Sequence, residues 1–194
     1  MAGRANILLI GTADTKSPEL SFLRDCIAEV GGAAIFMDVG VLAPGAYAPD
    51  VGNGEVAAAA GVTLDEIKSY GDENKAMSKM AEGAALLATR LRAQGRIDGM
   101  LALGGTMGTD LALDVAAALP LGFPKCLVST IAHSHLLPPE RITPDLMTVL
   151  WAGGLYGLNA LCRSTLAQAA GAIVGACRAA RPPAGDRPLI GMTS

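Results

Sequence analysis

Ala5-Asn6-Ile7-Leu8-Leu9-Ile10-Gly11 runs into Thr12-Ala13-Asp14-Thr15-Lys16 and then Ser17-Pro18-Glu19. The first seven residues are apolar almost without a break. That pattern predicts a strand covered on both faces, as in a parallel sheet. Ser17, Pro18 and Glu19 read as an N-cap, a first-turn proline and an early acid. The helix they open would place Leu20, Leu23, Ile27 and Val30 on one stripe, and Gly31-Gly32 would stop it. A second apolar strand is predicted over 33–39. Residues 5–39 thus read as strand, helix, strand: one βαβ unit.

The same rhythm continues outward. Residues 40–62 hold Pro44, Gly45, Pro49, Gly52 and Gly54 and predict a long loop, of the kind that often carries function. Thr63 predicts the cap of a short helix ending at Lys68. A longer helix over 73–94 carries Met77, Met80, Ala84, Leu87 and Leu91 on one stripe, the methionines reading as core filler. Strands are predicted over 97–103, 125–129 and 146–151, with a helix carrying Leu111, Val115 and Leu119 after the first of these. Residues 155–180 predict a long helix that is apolar on nearly all sides. So small a domain would leave part of it for another domain or chain to cover. The expected fold is α/β, three-layer and doubly wound, with a mainly parallel, Rossmann-like sheet. Residues 1–180 would be one domain, 181–188 a linker and 189–194 the start of a second domain.

Composition narrows the function classes. The chain has 194 residues, 51% of them hydrophobic, and a net charge of −3. No uncharged apolar run reaches the roughly 20 residues a membrane span needs, and Met1-Ala2-Gly3-Arg4 lacks a cleavable-signal layout. A cytoplasmic protein is expected. Scattered basic residues and few aromatics disfavour nucleic acid as a partner. The four cysteines lie apart in apolar stretches and read as small buried hydrophobes.

Two turns carry the chemistry. Gly11, Thr12, Asp14, Thr15 and Lys16 join a strand to a helix N-terminus, where free N–H groups and the helix dipole favour anions. Asp38, at the end of the next strand, stands where doubly wound folds often hold a ribose hydroxyl. Gly104, Gly105, Thr106, Gly108 and Thr109 repeat the strand-to-helix arrangement, with three glycines for close backbone approach and two hydroxyls. Ser129 and Thr130 end a further strand on the same edge. The bland reading of each turn is a tight, capped connection that needs glycine. Neither G-x-G-x-x-G nor the P-loop pattern is present. His133 and His135 lack a third ligand for zinc. Asp110 and Asp114 are placed either to hold Mg2+ beside a phosphate or simply to charge a helix. No metal site is assigned.

These segments also carry a family resemblance. Gly11-Thr12-Ala13-Asp14-Thr15-Lys16, Asp38-Val39, Gly104-Gly105-Thr106, Leu119-Pro120-Leu121-Gly122-Phe123-Pro124-Lys125, Val128-Ser129-Thr130 and Gly157-Leu158-Asn159 together resemble the Tm-one-like ATP-binding family. The resemblance implies an N-terminal α/β domain, ATP binding with Mg2+, self-association as a homo-oligomer, and a second domain. The leading expectation is a nucleotide-binding domain with phosphates over the two turns. The alternatives are an enzyme domain acting on a small phosphorylated or carboxylated metabolite, with Lys16, Asp14 or His133 as acid–base candidates, and a protein-interaction module built on helix 155–180.

Overall fold

A computed structural model of the chain describes residues 3–43, 45, 46, 48–151 and 157–181. The strands are β1 (Ala5–Gly11), β2 (Gly32–Asp38), β3 (Gly99–Gly104), β4 (Lys125–Ser129) and β5 (Leu146–Leu150). The helices are α1 (Ala13–Glu29), α2 (Asn53–Ala59), α3 (Leu64–Ser69), α4 (Glu73–Ala93), α5 (Thr106–Ala118) and α6 (Ala160–Ala179). The five strands form one sheet in the order β2-β1-β3-β4-β5, and every pairing is parallel. The doubly wound, parallel architecture read from the alternating strands and helices is therefore present. The expected linker beyond Arg181, the strand at 189–194 and the start of the helix expected from 155 lie outside the described residues.

Apolar side chains on both faces of the sheet explain the layers. Leu8, Ile10, Met100 and Leu127 bury against α2 to α5, while Ile7, Leu9, Leu101 and Val128 bury against α1 and α6. Each βαβ crossover is forced to one hand, so reversing the direction of travel after β2 sends the next helices to the other face. The reversal splits β1 from β3 at their carboxyl ends and leaves a crevice there.

Two elements depart from the sequence reading. In α1 the backbone breaks at Lys16, with φ −129° and ψ 19°. Pro18 therefore falls in the first turn after the break, where its missing N–H costs nothing. Ser17 does not cap. Its hydroxyl donates to the Ala13 carbonyl at 2.6 Å. In α6 the burial is one-sided. Cys162, Leu166, Ala169, Ala170, Ile173 and Val174 are buried against the sheet and α1. Leu161 is the one large hydrophobic side chain that α6 exposes. The outer face, where an exposed apolar patch is expected, carries alanines and glycines together with Arg163, Ser164, Gln168 and Arg178. By length and composition alone α6 would suffice to cross a membrane, but its inner stripe is that of a core helix.

Candidate functional site

α1 and α5 start where β1 and β3 end, at the carboxyl edge of the sheet, and α4, which runs back to feed β3, has its start at the same edge. A cavity of about 390 Å³ lies between them. Thr12, Asp14, Thr15 and Lys16 line one side, and Gly104, Gly105, Thr106, Met107 and Gly108 line the other. Val41 and Leu42, from the loop after β2, and Glu73 and Met77 of α4 complete it.

The β1–α1 side is held by its own bonds. The Thr12 carbonyl accepts from the Lys16 N–H at 2.9 Å, and the hydroxyls of Thr12 and Thr15 are 2.7 Å apart. Asp38 is buried, and its Oδ1 accepts from the N–H groups of Ala13 and Gly40, both at 2.9 Å. It caps the first turn of α1 and does not line the central cavity. The residue borders a neighbouring hollow beyond the loop. Asp14 ties that loop down: its Oδ2 accepts from the Leu42 N–H at 2.9 Å, and its carboxyl carbon lies 2.8 Å from where a Cβ of Gly40 would stand. The other Asp14 oxygen is buried without a partner.

The β3–α5 side is more open. Helix geometry leaves the N–H groups of Thr106, Met107 and Gly108 without acceptors in their own helix. Gly105 is the N-cap and supplies no side chain to cover them. The three glycines differ in what demands them. A Cβ on Gly104 would fall 2.6–2.8 Å from main-chain atoms of Gly108 and Thr109, so the turn itself requires glycine there. A Cβ on Gly105 would come no nearer than 3.8 Å to Thr130 Oγ1, and one on Gly108 no nearer than 3.7 Å to the Leu103 carbonyl. Packing would accept alanine at both. Their bareness leaves the helix N-terminus accessible from the cavity.

Several expected ligand contacts serve the fold instead. Thr109 and Ser129 are fully buried and hydrogen-bonded to each other at 2.7 Å, which pins α5 to the end of β4. Ser129 Oγ also accepts from the Ile131 N–H at 3.1 Å. Gly11 is buried against Leu20 beneath the cavity, and the Thr130 hydroxyl stands beside Gly105 without lining it. Arg141 bridges Asp110 and Asp114, which answers those acids with a cation from the chain itself. His133 and His135 are both exposed in the loop after β4, His133 with φ 63°. No cluster of three or more metal-ligating side chains occurs among the described residues. Val41, Leu42, Glu73 and Met77 were not anticipated. The βαβ rule would have placed the N-terminus of α4 at this edge, but nothing in the sequence shows how the loop after β2 folds back.

Burial raises the pKa of Asp38, the N–H groups of Ala13 and Gly40 oppose the rise, and the charge of Asp14 adds to it. A raised folded-state pKa means this group's contribution to stability is present at acid pH and lost as pH rises through it. Asp38→Asn keeps an oxygen acceptor and removes the buried charge. Its unfolding free energy in denaturant at neutral pH should stay within about 1 kcal/mol of the parent or exceed it. A loss above about 2 kcal/mol would show that the charge itself is needed.

An all-parallel doubly wound domain with a cavity at its switch point is the class that fold and site define. The chain belongs to the uncharacterised protein family UPF0261, whose N-terminal-domain model matches residues 5–182. It is 58% identical over 188 residues to a UPF0261 protein of Brucella suis, covering 97% of this chain and 45% of the relative. A UPF0261 protein of Clostridium tetani is 34% identical over 188 residues, covering 96% and 46%. One from Rhizobium meliloti is 32% identical over 187 residues, with the same coverage. The chain spans about half the length of these relatives, which fits a two-domain protein. The expected membership of the Tm-one-like ATP-binding family is incorrect. The family match and these relatives are UPF0261, and none of them links the chain to that family.

Proposed function

We propose that this domain binds a small phosphate-bearing ligand, with ATP as the leading candidate, between the Thr12–Lys16 turn and the Gly104–Gly108 turn. One observation carries the reading: the uncapped N-terminus of α5 and Lys16 line a single cavity at the point where the strand order reverses. Open α/β sheets place ligands in that crevice. Converging N–H groups and the helix dipole favour phosphate there. The bare positions Gly105 and Gly108 support the same reading, since packing does not call for them. Asp14 and Glu73 suit Mg2+ arriving with the phosphates, because that ion keeps most of its ligands as water and phosphate oxygen and takes only one or two carboxylates.

A second reading, an enzyme acting on a small phosphorylated or carboxylated metabolite, rests on Asp14 and Lys16, two ionisable residues that line the same cavity. Calorimetric titration of the intact protein with ATP, ADP and sugar phosphates separates the two by which ligand binds tightest. Thr106→Val combined with Lys16→Ala should weaken ATP binding by about 1.5–3 kcal/mol for each contact to charged phosphate, without unfolding the domain. Both side chains are at least partly exposed, so little core is lost. Unchanged affinity in a folded double variant would reduce both turns to structural connections.

A further inference from the structure

The two edges of the sheet are finished differently. At the β2 edge the chain covers itself. The Asp38 N–H donates to the Val51 carbonyl at 3.0 Å, and the N–H groups of Asp50 and Val51 donate to the Phe36 carbonyl at 2.9 and 3.0 Å. β5, at the other edge, has β4 on one side only. The Trp151 N–H donates to the Ser129 carbonyl of β4 at 3.0 Å, so by alternation Leu146, Thr148 and Leu150 aim their backbone groups outward. Among the described residues only the Leu146 N–H of these is taken, by the Thr143 carbonyl at 3.1 Å. No residue of β5 is buried, whereas every residue of β3 and β4 is. Leu-Met-Thr-Val-Leu also lacks the charge or proline that blunts a free edge.

We propose that the open β5 edge docks a second copy of this chain about a two-fold axis at Thr148, joining the two sheets into one. The chain's own continuation is led away from this edge. α6 packs on the same face as α1, and a right-handed crossover on that face travels from β1 towards β2. A strand fed by α6 would therefore return towards β2 and not extend the sheet beyond β5. A second copy meets no such constraint and presents the same edge. Paired antiparallel, Thr148 of each copy would exchange backbone bonds with Thr148 of the other, and each Leu150 N–H would donate to the Leu146 carbonyl across the axis. Apolar surface matches as well. Leu150, 47% exposed, ends the strand, and Leu121, 54% exposed, stands at its beginning, in the turn that the Gly122 N–H ties to Asp145. The two-fold axis brings the Leu150 end of one copy to the Leu121 end of the other, where each exposed leucine covers its counterpart.

The test is sedimentation equilibrium of this chain over a range of concentrations, with amide hydrogen exchange followed by NMR at the highest of them. A dimer is expected, with the Thr148 and Leu150 N–H groups protected from exchange and losing that protection on dilution. Leu150→Lys puts a charge at an exposed position on the edge and should weaken dimerisation about tenfold or more. Thr148→Pro removes an outward donor, leaves the bonds to β4 in place and should do the same. A chain that stays monomeric at the highest concentration would overturn the proposal, and protection of both amides in that monomer would assign the edge to other residues of the chain. A dimer in which these amides exchange freely, or one that both folded variants leave intact, would overturn it too.

Discussion

Lys125→Met should cost the domain about 3 kcal/mol, the loss typical of removing one partner from a buried ion pair. Lys125 is wholly buried at the start of β4, on the sheet edge opposite the cavity. Its ammonium donates to Asp145 at 2.7 Å and to the Pro120 carbonyl at 2.9 Å, and Asp145 also accepts from the Gly122 N–H at 2.8 Å. One cation thus joins the turn before β4 to the turn before β5. Burial alone would raise the pKa of Asp145, but the bonds and charge from Lys125 and the Gly122 N–H outweigh it and hold the carboxyl below its ordinary value. A depressed folded-state pKa gives stability that is present at neutral pH and lost as pH falls through it. Methionine would fill the space and leave Asp145 without its cation. The deficit measured by denaturant unfolding should therefore be largest at neutral pH and shrink in acid, where a protonated Asp145 needs no counter-charge. A deficit of the same size in acid would assign the loss to packing.

Gly104→Val should destabilise the domain by about 3 kcal/mol, through overpacking against main chain that cannot move aside. The first added carbon would stand 2.6–2.8 Å from Gly108 and Thr109 backbone atoms. Relief requires α5 to slide away from β3, which breaks the Thr109 hydroxyl pair with Ser129. Gly108→Ala is the companion measurement. Its methyl meets only ordinary contacts, and alanine is the better helix former by up to about 1 kcal/mol. Thermal melting should therefore show a marked fall for Gly104→Val and no fall for Gly108→Ala. The alanine variant should still bind ligand less well, because its methyl projects towards the open helix N-terminus. Equal melting temperatures for the two would mean that the β3–α5 turn has slack this structure does not show.

The fold was legible because β1, β2, β3 and β4 are short runs that are apolar on both faces, with helices between them whose stripes match one period. The two turns were legible because glycine and threonine stand where strands hand over to helices. Other features depend on long-range contacts. Asp38 ends β2 as read, but only the loop that folds back over α1 turns its carboxyl into a main-chain cap. Ser129 and Thr109 are twenty residues apart and resemble ligand hydroxyls until packing brings them together. In α6, alanines lie on both faces, so composition hides which side is buried. Leu166, Ile173 and Val174 resolve it by docking on the sheet. Val41 and Leu42 have no local signature at all, since their place in the cavity wall is set by Asp14 across the loop.

The most direct test of the phosphate site is residue-resolved. Backbone amide resonances of the intact protein are followed by NMR while Mg-ATP is added to saturation. The account predicts the largest shifts at the N–H groups of Gly105, Thr106, Met107 and Gly108, with a second set from Thr12 to Lys16 and little change around Lys125 at the opposite edge. Saturation with those amides unmoved, or with the largest shifts elsewhere on the domain, would contradict it.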